Sequence, residues 1–186
     1  MAKETRGRMV DAAVDALREH GLQGMSFTDV LARSGAARGA IYHHFPGGKG
    51  QLAAEAATRH GREVRDRLAE LGAADPKGVA TAFVEFARPV AQAATRGAGC
   101  AVAAVTVPAD EENGELRQAA AATFGSWTEQ LARNLREAGL ATADAEEKAA
   151  LLVTLLEGTQ VLCRASGSTE PFKRAVRAAL TLFATP

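Results

Sequence analysis

The sequence predicts an all-α protein of about nine helices, in which a small N-terminal three-helix unit precedes a larger helical bundle. Alanine is abundant, runs of β-branched residues are few, and apolar residues recur with the 3.6-residue period of a helix. The chain has 186 residues with 22 basic and 22 acidic side chains. This length suits one large domain or two smaller ones, and the balanced charge excludes an acidic disordered tail and a histone-like polycation.

The first helix is predicted over residues 5–20, because its apolar positions follow the helical period and Gly21 then permits a left-handed stop. A capping box follows, in which the Ser26 hydroxyl accepts a hydrogen bond from the Asp29 amide while the carboxylate reaches back. We therefore expect the second helix to begin at Phe27.

Gly35 permits the positive φ of a tight turn between the second helix and a short third helix over residues 38–44. The Pro46-Gly47-Gly48 sequence then breaks the chain. A long fourth helix is predicted from Gln51 toward Leu71, so the two short helices are followed at once by a long one.

The remaining helices are predicted by proline positions and apolar stripes. Pro76 fits the start of the fifth helix, and Pro89 inside it predicts a kink. Residues 99–107 are almost wholly apolar and could form a buried helix or a strand, although their neighbours favour helix. Amphipathic stripes predict three further helices, over residues 116–135, 144–164 and 172–183.

The two cysteines, Cys100 and Cys163, lie far apart and have no second Cys or His at metal-ligand spacing. We expect reduced, buried thiols, no metal site and no cofactor, with a redox or metal sensor as an alternative. The N-terminus lacks an apolar leader, and no stretch approaches 18 consecutive apolar residues. We therefore expect a cytoplasmic protein without a membrane partner.

Two short helices that meet at a glycine turn have the helix-turn-helix geometry, whose second helix enters the major groove of DNA. About 55 N-terminal residues also resemble the operator-binding segment of TetR (tetracycline-repressor) proteins, most specifically in a Tyr-x-His-Phe sequence. The resemblance is carried by Ser26-Phe27-Thr28-Asp29-Val30, Gly35, Arg38-Gly39-Ala40-Ile41-Tyr42-His43-His44-Phe45-Pro46, Lys49 and Leu52. It implies a homodimeric transcriptional repressor that binds double-stranded operator DNA.

Two further features are similar to the lincomycin- and flavonoid-responsive repressors of that family. The segment from Phe45 to Lys49 is one residue longer than the commoner family form, and a Gly99-Cys100 pair follows later. This resemblance implies a small-molecule effector.

Residues 1–50 form the predicted DNA-binding domain. Arg38 is the expected base reader, because its guanidinium can lie bidentate on guanine, while Gly39 allows close approach to the backbone. Ala40 can contact a thymine methyl group. Ala37 and Ala40 replace the hydroxyl residues usual in the family, so the third helix lacks a side-chain cap worth about 1 kcal/mol. The expected contacts to phosphates and flanking strands come from Ser26, Thr28, Tyr42, His43, His44 and Lys49.

Residues 51–186 form the predicted ligand-binding and dimerisation domain. Its last two long helices carry more apolar surface than one core face requires, which predicts a four-helix dimer interface. The expected interface residues are Leu151, Leu152, Leu155, Val161, Leu162, Phe172, Val176, Leu180 and Phe183.

An effector pocket is predicted among aromatic pairs and a polar set within an apolar helix, because buried polar groups need a partner. Aromatic stripes alone are more typical of a core. The expected pocket residues are Phe83, Phe86, Cys100, Phe124, Trp127, Glu157, Thr159, Gln160 and Cys163.

The alternative to a ligand-responsive repressor is a helical enzyme or small-molecule-binding protein that contains a helix-turn-helix-like corner. No Ser-His-Asp, Cys-His or paired-carboxylate motif can be assembled, and every histidine lies at or before His60. We therefore expect no catalytic residues and no enzymatic activity.

Overall fold

The computed structural model describes residues 2–106 and 114–183, and this part of the chain contains nine α-helices and no strand. The all-α prediction is confirmed. Residues 99–106 of the apolar run include a short helix, whereas Val107 lies outside the described residues. The helices are α1 Ala2–Gly24, α2 Phe27–Ser34, α3 Ala40–His44, α4 Gly48–Ala69, α5 Pro76–Ala94, α6 Ala101–Ala104, α7 Gly114–Glu137, α8 Thr142–Ser166 and α9 Glu170–Thr181.

The described residues form two compact units. The first consists of those in Met1–Arg62 and Gly99–Thr123, and the second of those in Glu63–Ala98 and Phe124–Pro186. Helices α4 and α7 contribute residues to both units. The compact units therefore do not follow the functional division expected near residue 50, which stays a prediction.

Local signals set the ends of the first two helices. Gly21 interrupts α1 with φ 67° and ψ −178°, at the residue predicted to stop the helix, but helical residues resume as far as Gly24. The Asp29 amide donates to the Ser26 hydroxyl at 3.2 Å, and α2 begins at Phe27. The Asp29 carboxylate does not complete the expected box in the usual way, because its Oδ1 accepts from Arg33 Nε at 2.8 Å.

The core of the first unit joins α1, α2, α3 and α4 through fully buried apolar side chains. Ile41 and Phe45 fill it from α3 and its end, with 1% and 0% of their surface exposed. Each such side chain stabilises the fold by about 1.5–3 kcal/mol. The other large members of this core are Met9, Leu17, Met25 and Leu52.

The second unit packs α5 against α8 and α9. α5 continues through the exposed Pro89, so the predicted kink does not end the helix. Asn134 of α7 is buried and donates from Nδ2 to the carbonyl oxygens of Leu68 at 2.8 Å and Leu71 at 3.4 Å. Since the last carbonyls of a helix lack partners within the helix, Asn134 satisfies the C-terminal end of α4.

Candidate nucleic-acid interface

The turn between α2 and α3 is held in place by α1. Gly35 ends α2 with φ 64° and ψ 19°, a left-handed conformation that glycine adopts without steric cost. Arg8 of α1 donates from Nε to the Ser34 carbonyl oxygen at 3.1 Å, and the Ala36 amide donates to the Ser34 hydroxyl at 3.4 Å. The direction in which α3 leaves the turn is therefore set by local conformation and by α1 together.

Helix α3 is shorter than the sequence predicts, because it begins at Ala40 instead of Arg38. Gly39 is its N-cap and makes no side-chain cap hydrogen bond, as expected from the missing hydroxyl. Arg38 precedes the helix in the turn and is exposed. The guanidinium therefore stands at the entrance of α3, where a flexible side chain can reach past the helix end.

The open side of α3 presents Tyr42, which is 67% exposed, and His43. The Tyr42 ring meets the ring of Phe27 edge to face, and His43 lies in a similar arrangement with the half-buried His44. These contacts orient polar aromatic side chains on the surface without burying them. A hydroxyl and imidazole groups so placed can donate to phosphate oxygens.

The surface around the start of α3 leaves room for another backbone. A Cβ atom added to Gly39 would meet nothing within 4 Å, so among the described residues no side chain needs this glycine for its own packing. Gly39 is exposed, and the neighbouring Ala40 is half-buried. Two small residues in succession therefore leave open space at this surface, and the expected close approach of a DNA strand stays a prediction.

The flanking residues have structural partners of their own. Lys49 donates from Nζ to the Gln23 carbonyl oxygen at 3.1 Å, which ties the first turn of α4 to the end of α1. Ser26 is exposed but its hydroxyl already caps α2, whereas Thr28 is exposed within the first turn of that helix. The roles expected for Ser26 and Lys49 at DNA would come in addition to these internal contacts.

Charges beside the helix-turn-helix are unequally paired. Arg33 forms ion pairs with Glu19 at 2.7 Å and with Asp29 at 2.8 Å. The hydrogen bond from Arg33 lowers the pKa of Glu19, and the two carboxylates raise the pKa of the Arg33 guanidinium. Arg38 has no ion pair with any of the described residues. Its positive charge is therefore available to an outside partner, a distinction that the sequence does not reveal.

The residues predicted to line the effector pocket are divided between the two units. Cys100 is buried in the first, and the other eight lie in the second. Within the second unit the aromatic rings are paired, with centroid distances of 6.1 Å for Phe83 and Phe86 and 5.1 Å for Phe124 and Trp127. Phe83, Phe86, Trp127, Thr159, Gln160 and Cys163 are buried, while Phe124 and Glu157 are half-buried.

The buried polar groups of α8 have partners within that helix. Thr159 donates from Oγ1 to the Leu155 carbonyl oxygen at 2.7 Å, and Gln160 donates from Nε2 to that of Leu156 at 3.3 Å. The physical reason given for a ligand at this place is therefore weaker than the sequence indicates, since these donors are satisfied without one. The proposed pocket residues themselves remain a prediction.

The residues predicted to form the dimer interface differ in their exposure. Val161 and Leu162 of α8 are 68% and 55% exposed, and Leu182, which the sequence analysis did not single out, is 52% exposed. These side chains are large, apolar and uncovered. The other predicted interface residues are less exposed. Those buried in the second unit are Leu152, Leu155, Phe172 and Phe183, and those half-buried there are Leu151, Val176 and Leu180.

Two other kinds of site are absent from the described residues. Among residues 2–106 and 114–183, no group of three or more His, Cys, Asp and Glu side chains is placed to hold a metal ion. Within the same ranges, no helix has the length and apolar character needed to cross a membrane.

Comparison with known proteins gives the same N-terminal assignment and adds one for the C-terminal part. Residues 9–56 match the family model of bacterial regulatory proteins of the tetR family. Residues 76–178 match the model for the C-terminal domain of LmrA/YxaF-like transcriptional regulators.

Relatives and solved structures extend the match over almost the whole chain. An uncharacterised HTH-type transcriptional regulator of Mycobacterium tuberculosis is 36% identical, over 86% of this chain and 84% of the relative. LmrA of Bacillus subtilis is 25% identical over 90% of each chain. A TetR regulator from Chloroflexus aurantiacus superposes with a TM-score of 0.81 at 28% identity, over 99% of this chain and 96% of the other.

A further structure is that of a cysteine mutant of the TetR-family regulator CifR complexed with 26-base-pair double-strand operator DNA. It shares the fold, with a TM-score of 0.72 at 24% identity, over 93% of this chain and 94% of the other. Together with the two family models, these similarities place the chain in a family and confirm the resemblance to lincomycin-type repressors. The chain belongs to the TetR family of transcriptional regulators, with a C-terminal domain of the LmrA/YxaF-like type.

Proposed function

We propose that this protein is a homodimeric repressor that binds operator DNA through α3 and releases it when a small apolar or aromatic effector binds the C-terminal domain. The observation that carries the proposal is the surface at the start of α3. There the unpaired Arg38 stands next to the open backbone of Gly39, and Tyr42 is exposed on the following turn. A cation and a close-approach site just before one short helix, with a polar ring on that helix, suit a major groove.

Sequence reading is assigned to Arg38, and positioning to the surrounding residues. The guanidinium can bind guanine O6 and N7 with two hydrogen bonds, whereas hydroxyl and imidazole groups bind phosphates of any sequence. The positioning set consists of Ser26, Thr28, Tyr42, His43, His44 and Lys49, and the small residues Gly39 and Ala40 admit the DNA.

The test begins with selection of bound duplexes from a random pool by the full-length protein. With the selected operator, Arg38→Ala should weaken binding by about 1–3 kcal/mol and relax the preference at one base pair. Arg38→Lys keeps the charge but loses the planar fork, so it should retain non-specific binding and still lose the base preference. Arg117→Ala, which removes an exposed cation of α7, is the matched control. Unchanged selectivity in both Arg38 variants would refute the assignment.

Dimerisation follows from the need for two reading helices. One α3 contacts only one half-site, and two such helices must lie roughly 34–36 Å apart to enter successive major grooves. The exposed Val161, Leu162 and Leu182 support an interface built from α8 and α9, because uncovered large apolar side chains mark contact surfaces when they cluster.

Effector binding is proposed for the second unit, among α5, α7 and α8. The paired rings there offer an apolar environment, and helix α4 contributes residues both to this unit and to the one that contains α3. An effector that stabilises the DNA-free form would weaken operator binding, and by linkage the operator would weaken effector binding by the same factor.

The buried Trp127 is the only tryptophan of the chain and reports on this region. Planar aromatic compounds can be screened by quenching of its fluorescence, and each titration repeated with the selected operator. An apparent dissociation constant that rises when operator is present is expected. A compound that binds equally well with and without operator would show that the site is not coupled to DNA release.

A further inference from the structure

A basic cavity lies between α1 and α4 in the first unit, and none of its lining residues is among those assigned to DNA. It has a volume of about 350 Å³, within the range that small-molecule sites occupy. Its lining includes four basic side chains and a single carboxylate, on a floor formed in part by Val10. The charged residues are Lys3, Arg6, Glu55, Arg59 and Arg62.

The pairing within this cavity leaves cations on both walls. Arg6 bonds Glu55 at 2.6 Å, and Arg59 is paired with Asp11 at 2.9 Å. Lys3 of α1 and Arg62 of α4 are exposed and have no ion pair with any residue of the described ranges. The cavity therefore carries an excess of positive charge on two helices that face the same space.

We propose that this cavity binds a small polyanion that carries several phosphate groups, such as a nucleoside polyphosphate. Guanidinium forks match phosphate oxygens in a bidentate manner, and Lys adds a point charge. The unpaired Lys3 and Arg62 can bind adjacent phosphates together, and Arg6 and Arg59 beside them can exchange a carboxylate partner for a phosphate.

Arg6 connects the cavity to the reading helix. Its guanidinium carbon lies 5.0 Å from the centroid of the Phe45 ring, which is buried at the end of α3. A phosphate that competes with Glu55 for Arg6 would act on a side chain that packs against α3. This site would thus be a second input to the regulator, separate from the pocket proposed in the C-terminal domain.

The direct test is calorimetric titration of the full-length protein with inorganic tripolyphosphate, without DNA or divalent cations and at constant ionic strength. Lys3→Gln and Arg62→Gln should each weaken binding at least about tenfold, since each removes a charge-assisted hydrogen bond. Arg117→Gln removes the same charge from another exposed position of the first unit and should leave binding unchanged. Citrate serves as a carboxylate of similar charge and should bind more weakly.

Each other outcome overturns the proposal. Absence of binding would show that the cavity is not a polyphosphate site. Equal weakening by all three substitutions would show that the protein attracts tripolyphosphate only through its general surface charge. Citrate binding as tightly as tripolyphosphate would reject the phosphate class. If Lys3→Gln and Arg62→Gln weaken operator binding while the parent binds no tripolyphosphate, these cations contact the DNA backbone instead. Because the titration contains no DNA, its failure is distinct from failure of the proposed repressor function.

Discussion

The rings of Phe27 and Tyr42 meet edge to face with centroids 5.7 Å apart and planes inclined at 89°. Phe27 opens α2 and Tyr42 lies in α3, so the contact joins the two helices of the helix-turn-helix across the Gly35 turn. Tyr42 remains 67% exposed. Its ring is therefore oriented by the protein while most of the side chain is available to DNA.

Tyr42→Phe removes the hydroxyl and keeps the ring contact. We expect operator affinity to fall by about 0.5–1.5 kcal/mol, the usual net value of one hydrogen bond, with little change in base preference. Fluorescence anisotropy with the selected operator and with shuffled duplexes measures both quantities. Thermal unfolding should be unchanged, and a loss of affinity confined to one operator base pair would contradict the phosphate role.

Val161→Glu places a charge among the exposed apolar side chains of α8. If α8 and α9 form the dimer interface, the variant should sediment as a monomer at micromolar concentration where the parent is a dimer, because an unpaired charge is costly in an apolar contact. Gln92→Glu introduces the same charge at an exposed position of α5 and should remain dimeric. A parent protein that is itself monomeric would reject the interface.

Gly61→Ala tests the close approach of α4 to α7 in the first unit. A Cβ atom at residue 61 would lie 2.2 Å from Thr123 Cγ2, so the helices must separate or the threonine must move. Overpacking of this kind costs about 1–3 kcal/mol of unfolding free energy. Thr123→Ser removes the obstructing methyl group, and the double variant should recover much of the loss. A Gly61→Ala protein as stable as the parent in urea would show that no such contact exists.

Asn134→Leu removes the side chain that satisfies the end of α4. The Leu68 carbonyl oxygen, 2.8 Å from Asn134 Nδ2, would lose that buried donor and keep only the Leu71 amide at 3.1 Å, so the free energy of unfolding should fall by about 0.5–1.5 kcal/mol, the net value of one hydrogen bond. Gln130→Ala removes only the half-buried group that donates to Asn134 Oδ1, and should cost less. Urea titrations measure both values, and an equal or larger loss for Gln130→Ala would be inconsistent with the capping role.

The Glu19–Arg33 contact makes a pH-dependent contribution to stability. Hydrogen bonding to Arg33 lowers the pKa of Glu19 in the folded protein below its unfolded value of about 4.3. The contribution is therefore present above that value and is lost as the pH falls through the folded pKa. Since the pair is on the surface, we expect less than about 1 kcal/mol.

Glu19→Gln should reduce the unfolding free energy near pH 7, and its difference from the parent should shrink as the pH falls through the lowered pKa of the folded Glu19. Glu115→Gln removes an exposed carboxylate that has no ion pair with the described residues. The unfolding free energy of the Glu115→Gln control should therefore stay close to that of the parent at every pH. A Glu19→Gln difference that stays constant with pH would exclude the linkage.

The sequence by itself determined the start of α2 at Phe27, the left-handed turn at Gly35 and the succession of helices around it. These features depend on residues within a few positions of one another, such as Ser26 and the Asp29 amide. The Tyr-x-His-Phe pattern, with Arg38 and Gly39 before it, also indicated the family and a surface for DNA. Local chemistry was sufficient for the start of α2 and for the turn, whereas the family was indicated by a resemblance and the surface for DNA stays a prediction.

Only the tertiary structure decided which of these side chains already have partners and which apolar surfaces stay uncovered. Lys49 reaches the Gln23 carbonyl oxygen, and Val161 stays exposed on α8 while Leu155 on the same helix is buried. A periodic stripe of apolar residues indicates which residues share a helix face, but the helices that cover that face come from distant parts of the chain. Pairing and exposure therefore follow from long-range packing, which the spacing of residues along the sequence does not encode.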